Sequence, residues 1–191
     1  MGALKFCSNC GSSDIEHKIP EGDNRLRHCC LNCGAIFYEN PKIVAGCIAQ
    51  WNEKILLCKR AIEPRYGAWT LPAGFMENHE TMQQAAARET FEEATARASN
   101  LELFAIYNLP HISQVYVMFK ADIEDGLAES GIESLETAFV EEQDIPWEDL
   151  AFPIINETLE LFLQDRKRGE FVLHTGEITR KPDRSLRTVR Y

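Results

Sequence analysis

Two matched cysteine pairs near the start of the chain constrain its folding more than any other feature. Cys7-x-x-Cys10 and Cys30-x-x-Cys33 are separated by nineteen residues, and a glycine follows each second cysteine. This spacing is typical of four thiolates arranged tetrahedrally around zinc. Glycine lets the backbone turn back toward the sulfur without a Cβ clash. Four protein ligands leave no coordination position open for water, so the predicted zinc is structural.

The remaining cysteines fit a reducing compartment. Cys29 competes with Cys30 as a zinc ligand, but only Cys30 keeps the spacing. Cys47 and Cys58 lie in apolar runs and are expected to be buried. The chain has no apolar run of about 20 residues and no signal region at its N-terminus. We therefore expect a cytoplasmic protein that does not bind membranes.

Length and charge narrow the class of protein further. The 191 residues are 45% hydrophobic and 26% charged, which is typical of one globular domain with a small appendage. A formal net charge of -10 argues against nucleic acid as the main partner, because phosphate backbones bind clustered cations. We predict three segments: residues 1–38 around the zinc, a domain over 39–168, and a basic tail over 169–191.

The middle segment has a mixed α/β pattern. Residues 43–50 and 54–59 have the composition of strands, whereas 81–96 lack Gly and Pro and predict a helix. Residues 153–168 carry apolar side chains at a helical period. From Arg166 onward, the chain contains eight Lys or Arg residues and only three acidic residues. A solvated, partly flexible tail is the favoured interpretation, and contact with substrate phosphates or a second subunit is the alternative.

Three glutamates on the predicted helix 81–96 are the candidate catalytic feature. Glu89 and Glu93 are four residues apart and share a face, with Glu92 beside them. An ordinary solvated acidic face is the alternative. Like charges at this spacing destabilise a helix by about 0.2–0.5 kcal/mol per pair, and the neighbours are small alanines that leave room for a ligand. Three carboxylates are the hard ligands that Mg²⁺ or Mn²⁺ prefers, so we predict a metal site. The other side of the helix, expected to pack against a sheet, carries Ala87, Phe91 and Ala94.

The surrounding residues form a longer pattern with fixed spacing. It reads Gly74-x5-Glu80-x7-Arg88-Glu89-Thr90-x-Glu92-Glu93-Ala94-Thr95, preceded by Leu71-Pro72-Ala73. The pattern resembles the Nudix box, the signature of the Nudix hydrolases. Three positions depart from it, and none removes a carboxylate or Arg88: they are His79, Ala94 and Thr95.

The resemblance implies a fold and a set of roles. The fold is an α/β/α sandwich with a mixed sheet, here preceded by a small zinc ribbon. Catalytic metal ions are held by Glu89, Glu92, Glu93 and the carbonyl of Ala73. Glu80 and Arg88 form a buried pair that orients the loop around Gly74, which makes Arg88 a support for the ligands.

Candidates outside the box are less specific. Glu133 and Glu136 are candidates for a loop glutamate that deprotonates the attacking water, and their alternative is ordinary exposed charge. Arg60, at the end of the second strand, is a candidate for contact with a substrate phosphate. Tyr66 is a candidate aromatic partner for a base, as are Tyr107 and Tyr116, although such residues are more often part of the core.

The combination of ribbon and box resembles two groups, the NADH pyrophosphatases and the plant chloroplast-type FAD and ADP-ribose pyrophosphatases. The first group carries a Ser-Gln-Pro-Trp-Pro-Phe-Pro array after the box, which this chain lacks. We therefore expect metal-dependent hydrolysis of ADP-ribose or FAD, giving AMP plus ribose 5-phosphate or FMN. NADH pyrophosphatase activity is the alternative. A non-catalytic ADP-ribose sensor, or a nucleic-acid-binding regulator that uses the ribbon, is the alternative of another class. The family also implies a homodimer.

Overall fold

The computed structural model describes residues 4–191, which divide into two compact units. The first unit, the ribbon, ends at Asn40, and the second unit spans Pro41–Tyr191. The ribbon is a three-stranded antiparallel sheet in the order β1-β2-β3. Its strands are β1 (Ile15–Lys18), β2 (Arg27–Cys30) and β3 (Ile36–Phe37).

The second unit is built on a nine-stranded mixed sheet. The central order is β10-β5-β4-β9-β8-β11-β12, with β6 paired to β5 and β7 paired to β4. β4 runs parallel to β9, and β8 runs parallel to β11, while the other pairs are antiparallel. The strands are β4 (Lys42–Trp51), β5 (Lys54–Arg60), β6 (Trp69–Thr70), β7 (Ala73–Phe75), β8 (Ala98–Leu109), β9 (Gln114–Ile123), β10 (Ser134–Val140), β11 (His174–Arg180) and β12 (Leu186–Arg190).

Two helices cover opposite faces of this sheet because successive strand residues point to opposite sides. In β4, Ala45, Cys47 and Ala49 face helix α1 (Met82–Ala94), whose Ala85 and Ala86 pack against them. Small side chains on both surfaces bring this helix close to the sheet. On the other face, Val44 and Ile48 pack with larger residues of helix α2 (Pro153–Arg168), namely Ile154, Ile155, Leu159 and Phe162. The predicted sandwich with a mixed sheet is confirmed.

The packed face of α1 differs from the prediction. The buried residues of the helix include Glu89 and Glu93 together with the alanines, whereas Phe91 is 47% exposed. Of the residues expected to face the sheet, Ala94 does so and Phe91 does not. The carboxylate face itself is therefore turned toward the sheet. Hydrophobicity favoured Phe91, but the small side chains of β4 select the alanine face instead.

The expectation of a partly flexible basic tail is wrong. After α2 ends, β11 pairs in parallel with β8, and β12 pairs with β11 at the edge of the sheet. Ile178 of β11 is buried in the core, so this segment continues the second unit and does not form a separate tail from residue 169. The arginines concealed its strand character, because edge strands commonly carry charged side chains. Across residues 4–191, no helix has the length and apolar character needed to cross a membrane.

Candidate functional site

The four predicted zinc ligands come together in the ribbon. Cys7 Sγ lies 3.6 Å from Cys33 Sγ, and Cys10 Sγ lies 3.6 Å from Cys30 Sγ. All four sulfur atoms lie within 4.8 Å of one another. Sulfur atoms bound at the usual Zn–S distance of about 2.3 Å would be about 3.8 Å apart on a tetrahedron. The cysteines therefore fit a zinc ion.

A tight turn follows each cysteine pair, and the hydrogen bonds in the second turn favour the thiolate form of Cys33. The amide of Gly11 donates to the Cys7 carbonyl at 2.8 Å, and that of Gly34 donates to the Cys30 carbonyl at 2.9 Å. Both glycines have positive φ angles, 76° and 73°, as a tight turn after each pair requires. Hydrogen bonds from the Ala35 backbone and the Asn9 side chain lower the pKa of the Cys33 thiol to about 6.

The non-ligand cysteines are also placed as expected. Cys29 is outside the sulfur cluster, and its thiol lies 3.7 Å from the Arg27 carbonyl. Cys47 and Cys58 are buried in β4 and β5. Burial raises the pKa of the Cys47 thiol to about 11, which keeps it neutral.

In the second unit, a side-chain cap fixes the N-terminus of helix α1. Thr81 caps the helix by accepting from the Gln84 amide at 3.2 Å, and Gln84 in turn accepts from the Thr81 amide at 2.8 Å. His79, just before this cap, has a φ of 70°, a conformation that favours glycine. This is the position at which the sequence departs from the usual glycine of the Nudix box. The loop keeps its turn in spite of the change.

Arg88 joins the loop to the carboxylates. Its guanidinium donates to both oxygens of Glu80, at 2.8 and 3.0 Å, which is the supporting pair implied by the resemblance. It also donates to Glu89 at 2.8 Å, to Glu92 at 2.9 Å and to the carbonyl of Phe75 at 3.1 Å. The bonds from Arg88 lower the pKa of Glu80 to about 2. One guanidinium therefore fixes two of the predicted metal ligands relative to the loop.

Glu89 and Glu93 are carboxylates in an environment that disfavours their charge. They are 9% and 6% exposed, and Glu92 is exposed. Burial, opposed by Arg88, raises the pKa of Glu89. Burial and the nearby charge of Glu89 raise the pKa of Glu93 to about 8. Two neighbouring buried acids with this shift form a site that a cation would stabilise.

The groups around this pair have the chemistry of a cation site. Gly74 lies against Glu89 so closely that a Cβ there would come within 2.3 Å of its carboxylate carbon. The backbone of Ala73 lies close enough to Glu93 to oppose the rise in the pKa of that carboxyl. Carboxylate oxygens at a glycine-lined surface are the donor set that Mg²⁺ and Mn²⁺ prefer, so the residues fit the predicted ion. The role of the Ala73 carbonyl as a ligand stays a prediction.

The two loop candidates differ in their surroundings. The charge of Glu133 makes a small contribution to the raised pKa of both Glu89 and Glu93, so this acid lies within electrostatic range of the buried pair. Glu136 lies in β10 opposite Lys59, with which it forms an ion pair at 3.6 Å. The surroundings therefore favour Glu133 over Glu136 as the proton acceptor.

The predicted substrate contacts lie in two places. Arg60 ends β5, stacks over Phe152 at 5.1 Å, and is close enough for its charge to lower the pKa of Glu93. Tyr66 is 60% exposed and lines a shallow groove with Glu148 and Asp149. Tyr107 and Tyr116 are buried and belong to the core, so neither can stack on a base from the surface.

Sequence reasoning missed two groups of residues that the structure connects to buried acids. Gly131 packs against the last turn of α1, where a Cβ would overlap the Glu92 carbonyl oxygen at 1.7 Å. On α2, Glu157 accepts from Tyr107 at 2.7 Å and from Arg190 at 2.6 Å. The helical period of α2, on which both Glu157 and Asp165 fall among apolar residues, was the only local signal for the second group.

Comparisons with known proteins agree with this geometry. A family model described as NUDIX domain matches residues 40–162, and one described as Nudix N-terminal, a zinc ribbon, matches residues 5–39. The crystal structure of a Nudix hydrolase from Nitrosomonas europaea is 52% identical, with a TM-score of 0.88 over 93% of this chain and 100% of that one. The chain thus belongs to the Nudix hydrolase family, and the family predicted from the box is confirmed.

Curated relatives include a protein named NAD-capped RNA hydrolase NudC from Haemophilus influenzae, 34% identical over 85% of this chain. The match covers 63% of that relative's length. A bifunctional NMN adenylyltransferase/ADP ribose pyrophosphatase from Francisella tularensis shares the fold, with a TM-score of 0.59 at 18% identity over 69% of this chain and 42% of that one. The name of the first relative leaves nucleic acid open as a partner, so the net charge of -10 does not exclude it.

Proposed function

We propose that the second unit hydrolyses the diphosphate bond of a nucleotide that carries an AMP moiety. The observation that carries this proposal is the buried pair Glu89 and Glu93 on one face of α1, in which Glu89 is hydrogen-bonded to Arg88 and packs against Gly74. Divalent ions bound there would neutralise diphosphate oxygens and activate water for attack on phosphorus. The proposed ligands are Glu89, Glu92 and Glu93, with the Ala73 carbonyl.

The side chains around the pair have separate roles in this proposal. Glu133 accepts the proton of the attacking water, since it is exposed, lies in a loop hydrogen-bonded to the end of α1, and is within electrostatic range of both buried acids. Arg60 contacts a substrate phosphate and so stabilises charge on the leaving group. Arg88 keeps Glu89 and Glu92 in place through direct hydrogen bonds, and Glu80 holds Arg88. Tyr66 is the one exposed tyrosine among the three predicted base partners.

ADP-ribose and FAD are the proposed substrates because the chain resembles the plant chloroplast-type enzymes and lacks the array of the NADH pyrophosphatases. A second candidate is NADH or an NAD-capped RNA 5′ end. The 34% identity to the relative named NAD-capped RNA hydrolase NudC favours that candidate. Both candidates present a diphosphate next to AMP, so the same site chemistry serves either.

The test is product analysis with each substrate supplied separately. The protein is incubated with Mg²⁺ or Mn²⁺ and ADP-ribose, FAD, NADH or NAD-capped RNA, and the release of AMP, or of 5′-phosphorylated RNA, is measured. Fastest turnover of ADP-ribose or FAD supports the first candidate, and fastest turnover of NADH or the RNA supports the second. No product from any substrate in the presence of either metal would overturn the proposal and favour a non-catalytic sensor.

We also propose that the ribbon holds one structural zinc through Cys7, Cys10, Cys30 and Cys33. Elemental analysis of the purified protein should give one zinc per chain. Cys30→Ser should lose the zinc and unfold the ribbon, because a unit of this size has little other core. Cys29→Ser is the matched control and should keep it, since Cys29 lies outside the sulfur cluster. Absence of zinc from the wild type would overturn the assignment. A homodimer and a cytoplasmic location stay predictions.

A further inference from the structure

The last turn of α1 is completed by a distant loop. A helix leaves its final carbonyl groups without donors from within the helix itself. Glu93 and Ala94, at the end of α1, accept from the amides of Gly131 at 3.0 Å and Glu129 at 2.8 Å. The loop 129–134 is therefore docked by main-chain hydrogen bonds on the turn that carries Glu92 and Glu93.

Gly131 is needed at this contact for space. A Cβ at residue 131 would lie 1.7 Å from the Glu92 carbonyl oxygen and 2.8 Å from its carbon. Both neighbours are backbone atoms of a helix and cannot rotate away. A larger residue at position 131 must therefore displace the loop from the end of α1. The backbone of Gly131 is outside the left-handed region, in contrast to Gly126 nearby in sequence. Glycine is thus required by the close approach and not by its φ angle.

The docked loop fixes the backbone of Glu133 on both sides. The Ser134 amide donates to the Gly131 carbonyl at 3.1 Å, which closes a turn around residues 132 and 133. The Glu133 carbonyl accepts from the Ala61 amide, just after β5, at 2.8 Å. The carboxylate of Glu133 stays exposed, and its charge acts on Glu89 and Glu93. The loop therefore ties an exposed acid to the helix that carries the two buried ones.

We propose that Gly131 is a positioning residue, which docks loop 129–134 on the end of α1 and so holds Glu133 at the buried glutamate pair. The inference rests on the proposed function, because it acts through the proton acceptor of that reaction. A displacement of about 1 Å in a reacting group can cost about a hundredfold in rate. A methyl group at residue 131 would cause a displacement of that order.

The test is a double-mutant cycle of Gly131→Ala and Glu133→Gln. Gly131→Ala should lower kcat by about 10- to 100-fold and leave KM within about threefold, because the substrate still binds the other residues. Added to Glu133→Gln, it should cost no more than about a further twofold, since the group it positions is already disabled. Ile132→Ala is the matched control in the same loop; its side chain is 98% exposed, so activity should not change.

A second variant tests the inference even if Gly131→Ala does not fold. Glu129→Pro removes the other docking amide without adding an atom at residue 131, and it should give the same drop in kcat and the same non-additivity with Glu133→Gln. Independent losses that multiply in both cycles, or an unimpaired Gly131→Ala, would overturn the inference while leaving the proposed function standing. A wild type that is inactive on every substrate would overturn the proposed function, and this inference with it.

Discussion

The two helices of the second unit each bury two acidic side chains, and the two pairs have opposite electrostatics. On α1, Glu89 and Glu93 have raised pKa values, chiefly because burial removes water from their charges. On α2, the pKa values of Glu157 and Asp165 are lowered, because their partners outweigh the effect of burial. Side chains with similarly little exposed surface thus differ in the direction of their pKa shifts, because the acids of α1 are packed more deeply and those of α2 have closer partners.

The partners on α2 are specific and close. Glu157 is bound by Arg190 and by the hydroxyl of Tyr107. Asp165 accepts from the Val172 amide at 3.1 Å and from His174 at 2.8 Å. These acids connect α2 to the last two strands, so we interpret them as structural.

On α1, by contrast, the only cation bonded to the pair is shared. Arg88 reaches Glu89 but also binds Glu80 and Glu92, and within residues 4–191 no cation forms an ion pair with Glu93. An arrangement that raises the pKa values of two neighbouring buried acids costs stability, and such costs are typical of functional sites. The comparison therefore separates acids that hold the fold together from acids held ready for a ligand.

The largest expected effect comes from neutralising one acid of the α1 pair. Glu93→Gln should reduce turnover at least about a hundredfold, because the loss of a direct metal ligand costs more activity than the loss of a residue that only supports the ligands. Without added divalent ion the variant should be as stable as the wild type or more stable, since folding no longer requires residue 93 to take up a proton or bury a charge. Turnover and urea unfolding measure the two quantities, with the exposed Glu124→Gln as control. Turnover near that of the wild type would remove Glu93 from the proposed metal site.

The corresponding changes on α2 should do the reverse. Glu157→Gln and Asp165→Asn should each lower the free energy of unfolding by about 1–3 kcal/mol, because a buried acceptor loses the charge that strengthens its hydrogen bonds. Turnover of the folded fraction should stay near wild type. Glu160→Gln is the matched control: Glu160 is half-exposed and 3.6 Å from Arg190, so the change should stay within about 0.5 kcal/mol. Loss of turnover without loss of stability would assign these acids to the reaction.

The two pairs also predict two opposite slopes of stability against pH. The pKa of Glu93 is about 8 when folded and about 4.3 when unfolded, so in that range the folded chain retains a proton that the unfolded chain has lost. Without added divalent ion, stability should therefore fall as pH rises from about 4.3 to 8. The acids of α2 have lowered pKa values, so their contribution is present above about pH 4 and is lost as pH falls below it.

Urea unfolding at several pH values measures both slopes. Glu93→Gln should flatten the slope on the alkaline side and leave the acid side unchanged, while Asp165→Asn should weaken only the acid side. Mg²⁺ added at pH 8 should restore stability to the wild type and much less to Glu93→Gln. An alkaline slope that persists in Glu93→Gln would contradict the assignment to this residue.

The smallest effect concerns how the two helices end. Both have a C-cap in the left-handed region, Thr95 for α1 with φ 52° and Gly169 for α2 with φ 74°. A β-branched residue is strained there, so Thr95→Gly should stabilise the protein by about 0.5–1 kcal/mol. The reciprocal change Gly169→Thr should destabilise it by about 1 kcal/mol. Thermal melts measure the change in Tm of each variant. Changes of the same sign in both variants would contradict the expectation that the two caps are equivalent sites.

Several elements could be predicted closely because their signals are local. The helix predicted over 153–168 matches α2, and α1 begins one residue after its Thr81 cap. Strand β8 begins at Ala98, and its first residues include the polar Ser99 and Asn100, which gain their strand conformation from pairing with β9 and not from a local pattern. The short strands β6 and β7 were not predicted, since two or three residues carry no period.

The last two strands and the role of Gly131 had no local signal of this kind. The parallel pairing of β11 with β8 joins residues that are far apart in sequence, such as His174 and Ala105. Gly131 becomes meaningful only when its loop meets the end of α1, and Arg190 becomes a partner only when β12 reaches Glu157. Contacts across such separations depend on the whole chain, which periodicity and propensity do not describe.

The sequence by itself determined the residue types and spacings on which chemistry depends: four cysteines in two matched pairs, three glutamates on one helix, and Arg88 in register with Glu80. These features are fixed by local geometry, because turns and helices place residues by their separation along the chain. The tertiary structure decided which acids lost their water and which gained a cation. Burial and ion pairing are set by whatever packs against a side chain, and only the folded sheet brings Arg190 to Glu157 and the Gly131 loop to the helix of Glu93.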